Sequence, residues 1–185
     1  MAMTYSQYLK VDELLQLQQP KSKDHDEILF IMIHQVYELW FKQVLHETGF
    51  VMKSLREGDT YNAMATLKRI LTIFKTLVGQ VDILETMTPL SFASFRNLLE
   101  ASSGFQSGQF RKLEFLIGHK RERMLEHFKA EPHLYNDLKK IFEEPTLYDA
   151  LLTHLKIKGF DVPKTLLERD VKKPIEANED LQKIL

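Results

Sequence analysis

Six consecutive apolar residues, Ile28-Leu29-Phe30-Ile31-Met32-Ile33, stand inside a stretch that keeps helical periodicity from about Asp24 to about Arg56. A surface helix needs one apolar stripe, so a helix that is apolar all the way round must be covered on every side. A chain of 185 residues has little to spare for such a cover, so other subunits or a cofactor are expected to pack against this run. The helix opens at Asp24-His25-Asp26-Glu27, where an Asp precedes a Glu by three residues in the manner of an acidic capping box.

The rest of the chain extends the helical pattern. A second long helix is expected after Gly58, with Asp59 or Thr60 as N-cap. Its apolar positions Met64, Leu67, Ile70, Leu71, Phe74, Leu77, Val78 and Val81 lead to an end near Glu85. Thr88-Pro89 supplies an N-cap and a proline at the first helical position, opening a short helix to about Leu99 that Ser102-Ser103-Gly104 interrupts. Helix is expected from Ser107 to about Phe128 with a break around Gly118, then over His133–Phe142 and Thr146–Lys158, with a loop at Gly159–Pro163. The expectation is an all-α protein with a single helical domain over 1–185. Residues 1–23 form an N-terminal arm with a short helix, 24–170 the helical core, and 171–185 a charged end.

Charge and composition narrow the function classes. The 25 Lys plus Arg nearly balance 26 Asp plus Glu, so neither nucleic acid nor an anionic membrane is the expected main partner. With no cysteine, thiolate chemistry, iron–sulfur clusters and disulfides drop out, which suits a cytoplasmic protein. The longest apolar run is too short to span a bilayer. No Glu stands three residues before a His, and there is no His-Glu-x-x-His helix, phosphate-cradling glycine loop or Gly-x-Ser-x-Gly elbow.

Two side chains stand out. His34 follows the apolar run and shares a helix face with Phe30 and Glu38. It is either a histidine bonded to a backbone carbonyl or to Glu38, or a neutral imidazole facing an apolar pocket, able to accept a substrate N–H. Arg96 lies among Phe92, Phe95, Leu98 and Leu99. It either snorkels or pairs with an acid, or it grips a ligand carboxylate through its planar guanidinium.

The stretch from His25 through His34-Gln35-Val36-Tyr37-Glu38-Leu39-Trp40-Phe41-Lys42 resembles the signature helix of the tryptophan 2,3-dioxygenases. Thr4-Tyr5-Ser6-Gln7-Tyr8-Leu9, Leu84-Glu85-Thr86-Met87-Thr88-Pro89 with Phe95-Arg96, and Ser102-Ser103-Gly104-Phe105-Gln106-Ser107 follow the family in the same order. A weaker likeness continues through Glu144-Pro145-Thr146-Leu147-Tyr148. The resemblance implies a helical bundle of the tryptophan/indoleamine dioxygenase type. It also implies a haem cofactor, L-tryptophan and O₂ as substrates, and an interlocked homotetramer.

It further implies roles for named residues. His34 would contact the indole N–H, Phe30 would lie against the indole, and Ile31, Met32 and Ile33 would shape the pocket. Arg96 would hold the substrate carboxylate, and Tyr5 and Tyr8 would reach into a neighbouring subunit's site. Leu99, Ser103 and Gly104 would lie near the haem. Phe92 departs from relatives that carry a tyrosine there, whose hydroxyl helps hold the carboxylate. The family's proximal haem histidine belongs to a C-terminal third absent from these 185 residues, so no metal ligand is expected here and the chain is expected to be incomplete. The alternatives are a catalytically inactive helical module, or a related haem enzyme acting on another indole or aromatic amino acid.

Overall fold

Two long helices carry most of the architecture. In the computed structural model, which describes residues 2–99, 106–175, 177–179 and 181, α3 runs His25–Arg56 and α4 Thr60–Leu84. The turn between them uses Gly58 at φ 77°, a left-handed conformation that glycine adopts without steric cost. Two short helices precede them, α1 (Tyr5–Leu9) and α2 (Val11–Leu14), and α5 (Pro89–Arg96) follows with Thr88 as the expected N-cap. Then come α6 (Gly108–Leu116), α7 (Pro132–Glu143), α8 (Leu147–Ile157) and α9 (Lys164–Leu167). No strand occurs among the described residues, and none of their helices is long and apolar enough to cross a membrane.

The contacts divide the chain into two compact units, Met1–Tyr37 with Leu77–Gly104, and Glu38–Thr76 with Phe105–Leu185. Both long helices contribute to each. In the second unit Phe115, Leu125, Phe128, Leu138 and Phe142 form one buried cluster, with the Phe115 and Phe142 rings edge to face at 5.3 Å. A second cluster holds Leu152, Leu155, Val162 and Leu181. Lys120 is buried beside the end of α7 and donates to the carbonyls of Phe142, at 2.8 Å, and Glu144. Burial, the largest influence, pushes its pKa down to about 8.

The N-terminus of α8 is fixed by reciprocal bonds between Thr146 and Asp149, and Arg169 closes on Asp149 through Nε at 2.6 Å. His154 donates from Nδ1 to the Leu55 carbonyl and accepts at Nε2 from the Thr60 hydroxyl, both at 3.0 Å. A bare histidine on α8 thus works as a pin between helices of its own unit.

Two local expectations are revised. The stretch expected as one broken helix to Phe128 is α6 followed by a separate 3₁₀ segment, Glu122–Phe128, because Gly118 at φ 101° turns the chain out of register. In α4 the helical period is as expected, but the buried stripe is Ala63, Thr66, Ile70, Ile73 and Leu77, while Met64, Leu71 and Val78 stand exposed at intervals of seven. Ala63 and Thr66 are small enough for close helix packing, which sequence hydrophobicity alone undervalues. In the second unit Met64, Leu67, Leu71 and Phe74 line an apolar groove of 1040 Å³ with Ile117 and Leu147. As expected of a chain this short, the six-residue apolar run of α3 is not covered on every side by this chain: Ile33 is buried, yet Ile28 and Met32 are 42% and 43% exposed.

Candidate functional site

The first unit brings an aromatic cluster together around α3 and α5. The Phe30 ring lies 4.1 Å, centroid to centroid, from the His34 imidazole, 5.7 Å from Phe92 and 5.6 Å from Phe95. Phe92 and Phe95 meet edge to face at 5.6 Å with their planes 88° apart, the arrangement that ring quadrupoles favour. Phe95 is fully buried and anchors the group, whereas Phe30, His34 and Phe92 are half-buried and keep contact with solvent. Arg96 is exposed and sits four residues after Phe92 on α5, so the two share that helix's face.

The two sequence readings of His34 turn out to be compatible. Nδ1 lies 2.7 Å from the Phe30 carbonyl oxygen, which can only accept, so Nδ1 carries the hydrogen of that bond. The neutral ring is then left with a lone pair on Nε2. The backbone bond at Nδ1 is what leaves Nε2 as the acceptor of the ring. Glu38 plays no part in this: its carboxylate and carbonyl both accept from Gln109 Nε2 at 2.8 Å. One turn after His34, Tyr37 donates from its hydroxyl to the Leu77 carbonyl at 2.6 Å, tying α3 to α4 within the unit, and burial pushes the Tyr37 phenol's pKa up.

The remaining candidates are spread along the same unit. Ile31, Met32 and Ile33 occupy the turn between Phe30 and His34, with only Ile33 buried. Leu99 ends a short 3₁₀ segment, Asn97–Leu99, and is half-buried. Tyr5 and Tyr8 lie on α1, 76% and 74% exposed, away from any buried surface of their own. Ser103 and Gly104 fall outside the described residues.

A family model described as tryptophan 2,3-dioxygenase matches residues 1–141, which include the whole of the α3 and α5 arrangement. The chain belongs to the tryptophan 2,3-dioxygenase family. A relative from Herpetosiphon aurantiacus named tryptophan 2,3-dioxygenase is 51% identical over all of this chain and 71% of its own length. Relatives of the same name from Anaeromyxobacter dehalogenans and Rhodococcus jostii are 51% and 44% identical, over 88% and 97% of this chain and 61% and 64% of theirs. The chain therefore spans roughly two thirds of the length of the tryptophan 2,3-dioxygenases it matches.

Sequence reasoning passed over Phe95 as a site member, although its position three residues after Phe92 and next to Arg96 would place it at the base of the same face. It also missed Glu27. The expected acidic capping box does not form as drawn, because the Asp24 amide donates to the Ser22 hydroxyl instead, at 3.1 Å. The Glu27 carboxylate reaches further back, to the amides of Lys21 and Ser22. No local signal distinguishes those two targets before the loop's path is known.

Proposed function

We propose that the chain supplies the substrate-binding side of a haem-dependent dioxygenase that cleaves the indole 2,3-bond of L-tryptophan with O₂ to give N-formylkynurenine, a step of the kynurenine pathway. It would do so as part of a cytoplasmic homotetramer. The observation that carries this reading is the half-buried contact of the Phe30 and Phe92 rings, 5.7 Å apart, beside an imidazole whose Nδ1 is held by the Phe30 carbonyl.

The side chains present suit a haem pocket: aromatic and aliphatic groups with one imidazole nitrogen among them. Bound haem supplies dioxygen activation, and both oxygen atoms end in the product. Leu99, Ser103 and Gly104 would help to hold the haem.

What the chain's own residues do follows from their chemistry. Phe30 presents a ring face against which an indole packs. His34 Nε2 accepts the indole N–H, which fixes the orientation of the five-membered ring without removing a proton from carbon. Arg96 offers two parallel N–H groups to the amino acid carboxylate. Ile31, Met32 and Ile33 exclude water along the α3 side, and Tyr5 and Tyr8 close the site of a neighbouring subunit.

Positioning of this kind raises rate by holding the reacting 2,3-bond in one place. The test is haemin titration followed by tryptophan turnover. A Soret band together with N-formylkynurenine formation is expected of protein carrying the family's full complement of segments. Tight haem binding with no turnover of tryptophan, and turnover of a substituted indole or another aromatic amino acid instead, would replace the substrate.

A further inference from the structure

Glu27 is 1% exposed in the first turn of α3, a position from which a carboxylate normally faces water or its own helix end. Here Oε1 accepts from the Lys21 amide at 2.7 Å, and Oε2 accepts from the Ser22 amide at 2.6 Å and from the Ser22 hydroxyl. These donors hold the Glu27 pKa below the usual carboxylate range, the Ser22 hydroxyl most of all. Two turns further along α3, Gln35 closes a second fastening. Its Nε2 donates to the Leu17 carbonyl at 3.0 Å, and its Oε1 accepts from Gln18 Nε2, which also donates to the Leu14 carbonyl at the end of α2.

The two fastenings are about 12 Å apart along the helix axis, and the chain between them is only a few residues long. The linker from Leu17 to Ser22 is therefore held at both ends against one edge of α3, with Ile31 one turn from each anchor. Beyond the Gln35 fastening, α1 and α2 bury no residue of their own. The hydrogen bonds from α3 to this part of the chain run to Leu17, Gln18, Lys21 and Ser22.

We infer that Glu27 and Gln35 are positioning residues: they set the path of the Leu17–Ser22 linker along α3, and through it the direction in which the arm bearing Tyr5 and Tyr8 leaves the chain. The inference deepens the proposed function, because it rests on that reading for the claim that the arm completes a substrate site. It makes the helix that carries Phe30 and His34 also the rail on which the arm is mounted. A substrate pocket and its closing element then share one rigid reference.

The chain has no cysteine, so a single introduced thiol is labelled uniquely. A spin label at Asp12→Cys on α2 reports arm motion, and one at Lys75→Cys on α4 serves as the control. Glu27→Gln and Gln35→Ala should each loosen the Asp12 label and leave the Lys75 label unchanged. Ser22→Ala, the mildest change, should loosen it least. Amide exchange at Lys21 and Ser22 should quicken on the order of tenfold in Glu27→Gln.

An Asp12 label whose motion is the same in Glu27→Gln, Gln35→Ala and the parent, with exchange at Lys21 and Ser22 also unchanged, would overturn the inference. In haem-loaded protein that turns over tryptophan, loosening should raise KM more than it lowers kcat. A loosened arm with KM unchanged would uphold the fastening and remove the arm from the substrate site, so the two claims fail separately.

Discussion

The two units of this chain bury themselves very differently. The second unit holds two closed apolar clusters, a buried lysine capping α7 and the Thr146–Asp149–Arg169 lock on α8. In the first unit the buried apolar residues among those described are Ile33, Leu77 and Phe95, and the aromatic rings around them keep one side in solvent. The second region closes two clusters and leaves an apolar groove of Met64, Leu71 and Ile117 open beside them, whereas the first holds its aromatic rings half-open around an imidazole. The half-open rings of the first unit are the ones that the proposed function assigns to the substrate.

The sharpest way to break the contrast is to empty a position in each region. Phe115→Ala should cost about 3–5 kcal/mol of unfolding free energy by denaturant titration, since the ring is fully buried. Phe92→Ala should cost clearly less, and equal losses would show that the first unit is as closed as the second. Arg96→Leu should act the other way round, with little effect on unfolding but a rise in KM for tryptophan on the order of tenfold to a hundredfold. An unchanged KM would remove Arg96 from the substrate site.

Acid should probe the second region through one carboxylate. For Asp149, burial alone would raise the pKa, but hydrogen bonds from Arg169 and Thr146 outweigh it and hold the carboxyl below its ordinary value. Because the folded value is depressed, Asp149 stabilises the fold above the unfolded value of about 3.9 and that stability is lost as pH falls through the folded value. Asp149→Asn should therefore flatten part of the loss of stability measured as pH falls below about 5. The same slope in parent and variant would mean that Arg169 contributes nothing there. The smallest effect is expected from Phe92→Tyr, which offers the carboxylate one more hydroxyl and should lower KM by a factor of about five, equivalent to about 1 kcal/mol.

Much of the fold was legible in the sequence because helical period and end signals are local. Thr88-Pro89, Ser107 and Thr146 cap the helices that follow them, and the end of α3 falls at Arg56 as the pattern indicates. What was not legible depends on which neighbour arrives. Met64 and Leu71 look like core residues by spacing, yet the chain covers Ala63 and Thr66 instead. In the site, Phe30, His34 and Phe92 could be grouped through the resemblance, but the bond from His34 to the Phe30 carbonyl needed coordinates. Glu27 was read as a cap for its own helix and serves instead as a receptor for the preceding loop.

The His34 bond has a consequence for how often the ring must be ordered. The Phe30 carbonyl also belongs to the hydrogen-bond ladder of α3, so the imidazole is attached to the helix backbone as well as to its own Cα. Ring rotation is restricted when α3 folds, and that loss of freedom occurs once in the lifetime of the molecule. On the proposed function, a substrate that met Nε2 would encounter an acceptor already facing one way, and the incoming indole would have most of the motion left to lose.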